Sequence, residues 1–338
     1  MNVLLTGGTG YIGSHTATAL LEAGLNVVLF DNLSNSKIDV LDRLKKITSK
    51  DFSFIEGDIR DKSVLSSTLK NYQIDAVIHF AGLKSVSESA LDPLLYFENN
   101  VGGTLSLLQA MQKNKVKTLV FSSSATIYGE PKYLPIDESH PTTAVNPYGR
   151  TKLHIEEILK DVCLSDNGLA VACLRYFNPV GAHETGFIGE DPNGQPNNLM
   201  PYIANVAYEL TAKLPVYGND YPTYDGTGVR DFIHVMDLAE GHVAALNYLN
   251  THLGWVAVNL GTGKGTSVLD LVNSFSDVSG KEIPLEIHPR RDGDVACSYT
   301  SVILAKELFN WRATRAINEM CHTSWIAKQN LEKARNIK

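Results

Sequence analysis

Short runs of consecutive apolar residues punctuate the first half of the chain, at 3–5, 27–30, 52–55, 76–80, 119–121 and 169–174. They are rich in β-branched and aromatic side chains and do not alternate with polar positions, which predicts strands buried on both faces of a parallel sheet. Amphipathic stretches such as 15–23 and 104–112 lie between them and predict helices. Strands alternating with helices predict an α/β fold, a doubly wound parallel sheet with right-handed crossovers. After Tyr176 the texture changes: residues 178–201 are dense in proline, glycine and asparagine, and a second loop is predicted at 217–228. The reading is a first domain at 1–176 and a smaller mixed α/β domain at 177–338, with some later segments returning to the first.

Length agrees with two units, because a single hydrophobic core stops growing at about 250–300 residues and the chain has 338. Hydrophobic residues are 43% and charged residues 20%, which excludes disorder, collagen and coiled coil. The 30 basic and 37 acidic residues leave a net charge of −7, against a nucleic-acid partner. No apolar run is long enough to span a membrane, and MNVLLTGGTGYIG lacks the basic start of a signal peptide, so a cytoplasmic protein is expected. The 4 cysteines (Cys163, Cys173, Cys297, Cys321) form no CxxC pair and read as reduced thiols, with no metal site expected.

The first apolar run leads into Gly7-Gly8-Thr9-Gly10-Tyr11-Ile12-Gly13 and then a predicted helix. One glycine permits positive φ, another lets backbone amides approach a pyrophosphate, and Gly13 lets the helix pack on the strand. The helix N-terminus adds positive potential for the phosphates. Asp31 ends the second run, where a carboxylate accepts ribose hydroxyls and repels a 2′-phosphate, favouring NAD over NADP in a Rossmann-type fold. Asp58 follows the third run and reads equally as an adenine contact or a turn aspartate.

Tyr148-Gly149-Arg150-Thr151-Lys152 is a YxxxK pattern opening a helix, with both side chains on one face. Free tyrosine titrates at about 10, and an adjacent ammonium and an oxidised nicotinamide would lower it toward use as a base. The fifth run leads to Ser122-Ser123-Ser124 at the carboxyl end of the sheet, where ligands bind in such folds. Ser124 there can share a proton with Tyr148 and a substrate hydroxyl. The expected catalytic set is Tyr148, Lys152 and Ser124; His79 is expected to be structural, and Trp255 and Trp311 to pack.

The blocks TGGTGYIG, Asp31-Asn32-Leu33, His79-Phe80-Ala81-Gly82-Leu83-Lys84, SSSATIYG, YGRTK and Arg175-Tyr176-Phe177-Asn178-Pro179-Val180-Gly181-Ala182 resemble the UDP-glucose (UDP-galactose) 4-epimerases of the extended short-chain dehydrogenase/reductase superfamily. The resemblance continues through Asn197-Asn198-Leu199-Met200-Pro201, Gly226-Thr227-Gly228-Val229-Arg230-Asp231 and Arg290-Arg291-Asp292-Gly293-Asp294, and covers essentially the whole chain. It implies a tightly held NAD regenerated in each cycle, a UDP-hexose substrate and a homodimer. Tyr148 would take the sugar 4-OH proton with Ser124 assisting, the C4 hydride would pass to NAD, and the 4-keto sugar would turn before the hydride returns.

By the same resemblance Gly7, Gly10, Tyr11, Ile12, Gly13, Asp31, Asn32, Asn35, Ser36, Asp58, Ile59, Phe80, Ala81, Gly82, Lys84, Asn99, Tyr148, Lys152 and Phe177 would line the cofactor site. Lys84, Ser124, Tyr148, Asn178, Asn198, Leu199, Val216, Tyr217, Arg230, Arg291, Asp294 and Ser298 would contact the UDP-sugar. Arg230 and Arg291 suit a diphosphate, though each could instead pair with its neighbour, Asp231 or Asp292. Ser298 aligns with the position that closes the sugar pocket, and a small residue there would admit N-acetylhexosamines. A shift of one would put Tyr299 at the gate and reverse this. A 4,6-dehydratase is disfavoured because Ala125 and Thr126 stand where its Asp-Glu pair would be. A net dehydrogenase and an NAD-sensing regulator remain as alternatives.

Overall fold

The structure is a computed structural model and describes residues 1–191, 196, 198–291 and 293–336. Asn197 and Asp292, named above in their motifs, lie outside the described residues. Each apolar run of the first half forms a strand: β1 (Asn2–Thr6), β2 (Asn26–Asp31), β3 (Ser53–Glu56), β4 (Ala76–His79), β5 (Thr118–Ser124) and β6 (Ala170–Tyr176). Between them run α1 (Tyr11–Glu22), α2 (Val40–Thr48), α3 (Lys62–Asn71), α4 (Val86–Leu91), α5 (Pro93–Tyr96), α6 (Gly103–Asn114) and α7 (Pro147–Ser165).

Beyond Tyr176 come β7 (Asn178–Val180), α8 (Leu199–Ala207), β8 (Leu214–Tyr217), β9 (Val229–His234), α9 (Val235–Leu249), β10 (Gly254–Leu260), β11 (Gly265–Ser267), α10 (Val268–Ser279), β12 (Leu285–His288), β13 (Cys297–Ser298), α11 (Ile303–Phe309) and α12 (Ile317–Asn336).

The main sheet has 7 strands in the order β10-β6-β5-β4-β1-β2-β3, and every neighbouring pair is parallel. Strand order reverses between β1 and β4, so a crevice opens at their carboxyl ends. One face carries Leu5, Leu20, Leu29, Leu174 and Leu246, with α1 and α9 packed together over it. The other carries Leu4, Val77, Leu107, Leu119, Ile155 and Leu159 under α3, α6 and α7. The apolar sides of α6 and α7 thus pack on the sheet, while Leu91, Leu94 and Leu105 stay exposed. The seventh strand and α9 come from beyond Tyr176 and complete the first sheet.

A third cluster, including Ile203, Val216, Phe232, Phe275 and Trp325, forms the core between α8, α10 and α12. Beside it β9 pairs with β11, β13 and β7, and β8 pairs with β12. Trp311 packs in the core of the sheet's first face, and Trp255 packs against that of the second. The cysteines are all free, and no described helix is long and apolar enough to cross a membrane.

Asp231 joins the two regions. Fully buried, its carboxylate accepts from the Thr262 amide (2.8 Å) and hydroxyl (2.6 Å), the Gly263 amide (2.9 Å) and the Thr300 amide (3.2 Å). It fixes β9 to the turn after β10 and to the strand end carrying Ser298. Asp231→Ala leaves those donors unsatisfied and is expected to cost about 3 kcal/mol of stability. Thermal unfolding checks this, and an unchanged midpoint would remove the joining role.

Candidate active site

At the head of α1 the glycines act through contact distances. Gly7 has φ of +68°, and a Cβ there would lie 2.7 Å from the Ala81 amide nitrogen. A Cβ on Gly13 would lie 2.2 Å from the Gly7 carbonyl oxygen. Gly10 caps α1 with no side chain, so no side-chain oxygen covers the first-turn amides of Tyr11 and Ile12. This cradle fits a dinucleotide pyrophosphate.

On its adenosine side, buried Asp31 accepts from the Thr9 amide (3.1 Å), the Leu33 amide (2.9 Å) and the Ser36 hydroxyl (3.1 Å). Asn35 lies exposed in the same loop. Asp58 is held by Arg60 (2.9 and 2.8 Å) and Asn32 (3.3 Å), and the Arg60 hydrogen bonds hold its carboxyl down at about 2. Ile59 is buried against Gly103. The donor set fits NAD.

On the opposite side of the loop, Phe80 packs on His242 with ring centroids 4.8 Å apart. Ala81 follows it, and a Cβ on Gly82 would meet the Asn100 side-chain oxygen at 3.2 Å. Asn99 and Asn100 stand in a π-helical turn, Phe97–Gly102, a break that often marks function. Asn99 donates to the Asn100 side chain (3.0 Å). Asn100, which sequence reading missed, is buried and bonds both Leu83 backbone groups (2.8 and 3.0 Å) and the Thr151 hydroxyl (3.1 Å). It ties the Lys84 loop to α7. Only its place beside Asn99 could have singled it out.

Helix α7 begins with Pro147, and the Asn146 side chain caps the Gly149 amide at 2.8 Å. That start aims Tyr148 and Lys152 at the end of β5. Ser124 accepts from the Thr126 amide (3.2 Å) and hydroxyl (3.0 Å), which leaves its own proton for Tyr148. The Lys152 ammonium donates to the Ser122 carbonyl at 2.6 Å and lies 5.9 Å from the Tyr148 ring centroid. Burial lowers Lys152 to about 8, with Glu156 opposing.

The expected fall in the Tyr148 pKa is tied to an oxidised nicotinamide, and the chain's own groups act the other way. Burial pushes the phenol above its ordinary value and the Ser124 hydroxyl pulls it back only in part. The ammonium is anchored on Ser122 instead of the phenol oxygen. His79 is structural: it bridges the Thr6 (2.6 Å) and Thr104 (3.0 Å) hydroxyls, and burial, then Lys152, lower it to about 3. Phe177 is buried with Ile127, Tyr128 and Ile136.

The second region faces this set. Arg230 does not pair with Asp231, whose side chain points to the opposite face of β9. Its guanidinium donates to the Val229 carbonyl (3.0 Å) and lies 3.7 Å from Asp294. Arg291 stacks over Tyr217, 3.7 Å from the ring centroid. Arg290 holds the 217–228 loop through Asp220 (2.8 Å) and the Tyr221 ring. The Val216 side chain is in the core, so only its backbone is offered.

Asn178 is exposed on β7, and Leu199 opens α8 after Asn198. Asn198 and Lys84 converge on one acceptor that sequence reading missed, Glu190, at 2.6 and 3.0 Å. Ser298 pairs with Arg230 in the β13–β9 register. A cavity of about 660 Å³ opens between Tyr11, Glu190 and α12, and Ser124, Tyr148 and Lys152 are outside its lining.

Residues 3–261 match the NAD dependent epimerase/dehydratase family. The UDP-glucose 4-epimerase of Bacillus subtilis (strain 168) is 55% identical over 325 residues, covering 96% of each chain. That of Drosophila melanogaster is 53% identical, covering 96% of this chain and 95% of its own.

Among solved structures, UDP-glucose-4-epimerase from Stenotrophomonas maltophila, with bound NAD and formylated UDP-arabinopyranose, superimposes with a TM-score of 0.97 at 48% identity and 99% coverage of both chains. UDP-glucose 4-epimerase from Bifidobacterium longum, in complex with NAD+ and UDP, gives 0.95 at 46% identity and 98% coverage of both. On the matched span, the fold and these identities together, the chain belongs to the NAD dependent epimerase/dehydratase family, among its UDP-glucose 4-epimerases.

Proposed function

We propose that the chain is an NAD-dependent 4-epimerase that interconverts UDP-glucose and UDP-galactose. The observation that carries this is the meeting of the Ser124 hydroxyl, the Tyr148 phenol and the Lys152 ammonium at the end of β5, beside the glycine cradle of α1. NAD, when bound, supplies the acceptor and donor of the sugar C4 hydride. The chain's own residues move the proton: Tyr148 takes it from the 4-OH and later returns it, and Ser124 donates to the phenolate as it forms. Lys152 stabilises that phenolate by its charge. Arg230, Arg291 on Tyr217, Asn178, Asn198 and Asp294 would hold the uridine diphosphate more firmly than the hexose, so the 4-keto sugar can turn over. The absence of an acid pair at Ala125 and Thr126 speaks against a dehydratase, and retention of Tyr148 and Lys152 against a regulator.

Two lobes support this division of labour, 1–176 for the cofactor and 177–338 for the sugar nucleotide, with α9 and β10 returning to the first. We place the protein in the cytoplasm as a homodimer. Light scattering at twice 37.0 kDa supports the dimer and a monomer mass overturns it.

A second activity is favoured by register. Ser298 stands opposite Arg230 and shares its face, whereas the Tyr299 ring lies against Gly265, which pairs with Asp231 on the other face. The small residue, not the tyrosine, shares the face of Arg230, which supports the reading that UDP-GlcNAc and UDP-GalNAc are also interconverted.

Tyr148→Phe removes the proton-transfer group and is expected to lower kcat for UDP-galactose by about 10²–10⁴-fold; full turnover in this variant would refute the assignment. In an assay of both substrate pairs, wild type is expected to act on both. Ser298→Tyr is expected to lose the N-acetyl pair alone. A wild type inert toward UDP-GlcNAc and UDP-GalNAc sinks the second activity.

A further inference from the structure

Beneath the proposed catalytic set lies a buried charge network that the reaction itself does not use. Glu156 follows Tyr148 and Lys152 at successive i+4 steps on α7, so the three share one helix face. Its side chain is 3% exposed and that of Arg175 is 6% exposed. Arg175 donates to Glu156 through Nε (3.1 Å) and an η nitrogen (2.7 Å). The Ser123 hydroxyl donates to the same carboxylate. Arg175 also donates to the Tyr128 hydroxyl (2.9 Å), which donates to the Asn259 side chain (2.7 Å). The network therefore joins α7 to β5, β6 and β10 one residue below Ser124.

A buried ion pair contributes little net stability, because desolvating the two charges offsets their attraction. Packed apolar residues would hold these elements together as well. What an apolar pair cannot supply is a fixed anion beside Lys152. The groups facing that ammonium are the Ser122 carbonyl and the Phe121 ring of β5, 4.9 Å away at its centroid, His79 of β4, held low and hence neutral, and Tyr148 and Glu156 of its own helix. Tyr176 of β6 is bonded to His242. Among these described groups Glu156 is the one carboxylate, and Arg175 of β6 is the cation paired with it.

We propose that Glu156 is a positioning residue for the epimerisation: held by Arg175 and Ser123, it fixes α7 against the end of β5 and sets a carboxylate one helical turn from Lys152. The inference rests on the function proposed above. Burial alone drives Lys152 toward its neutral form, and Glu156 acts against it. Without the anion Lys152 sheds its proton at lower pH, and the phenolate of Tyr148 loses its neighbouring cation.

The test is the pH profile of kcat with UDP-galactose, on the protein as purified with its cofactor. Glu156→Gln keeps the shape and a partner for Ser123 but removes the charge. It is expected to move the alkaline limb down by about 1 pH unit. Its kcat is expected to fall about 10- to 100-fold, with KM changed by less than about twofold. Glu156→Asp keeps the charge and shortens the reach, so the alkaline limb stays in place while kcat falls.

Should the Gln variant fail to fold, Glu156→Gln with Arg175→Met removes both buried charges together; the repulsion of Lys152 by Arg175 goes too, so the limb is expected to move down by less than in the single variant while kcat still falls. A variant lacking the carboxylate with the wild-type limb and kcat overturns the proposal. A wild type that does not turn over UDP-galactose overturns instead the function on which it rests.

Discussion

Seven parallel strands covered by helices on both faces leave the polar chemistry of this chain one place to stand, the row of carboxyl ends. Neighbouring strands pair along their length, and the main clusters on both faces are apolar. The Gly7 turn, the Lys84 loop, Ser124 and Arg175 all lie at or near that row, on β1, β4, β5 and β6. The helices on the two faces then set the spacing. Gly13 lets α1 sit directly on the Gly7 carbonyl, and Glu156 with Arg175 draws α7 onto β5 and β6.

The two halves of the proposed site solve opposite problems. The cofactor side is built from backbone amides and short side chains whose positions are determined by close packing. The substrate side uses long cations that need support: Arg291 lies flat on Tyr217, and Arg230 is held by its own strand's carbonyl and faces Asp294. A planar guanidinium stacked on a ring has lost much of its rotamer freedom before a ligand arrives, so less is lost on binding. Lys84 and Asn198, one from each side, are steadied by the single carboxylate of Glu190.

Much of this was legible in the residues, and the exceptions have physical reasons. β1 to β6 announced themselves because strands buried on both faces are continuous apolar runs. β10 did not, since Gly254-Trp255-Val256 belongs to the first sheet only through contacts distant in sequence. Arg230 and Asp231 look like a pair when written side by side, yet successive side chains of a strand face opposite ways. Asp231 is consumed by Thr262, Gly263 and Thr300. Glu156 reads as an ordinary charge on an amphipathic helix, and only the arrival of Arg175 from the next strand makes it a buried one. The burial that raises the Tyr148 phenol in the chain alone is something the YxxxK spacing does not report.

The hydroxyl of Tyr11, on the first turn of α1, donates to the Gly181 carbonyl at 2.6 Å, and α9 covers the flank of the same helix. The nucleotide cradle is thus finished by residues that follow Tyr176, and so is the sheet beneath it. Although its pattern is shared by many dinucleotide-binding proteins, here the first half is not a portable module. A gene fragment encoding 1–176 would specify an unfinished surface, and recombination at that boundary would have to carry the strand and helix of the second half along with it.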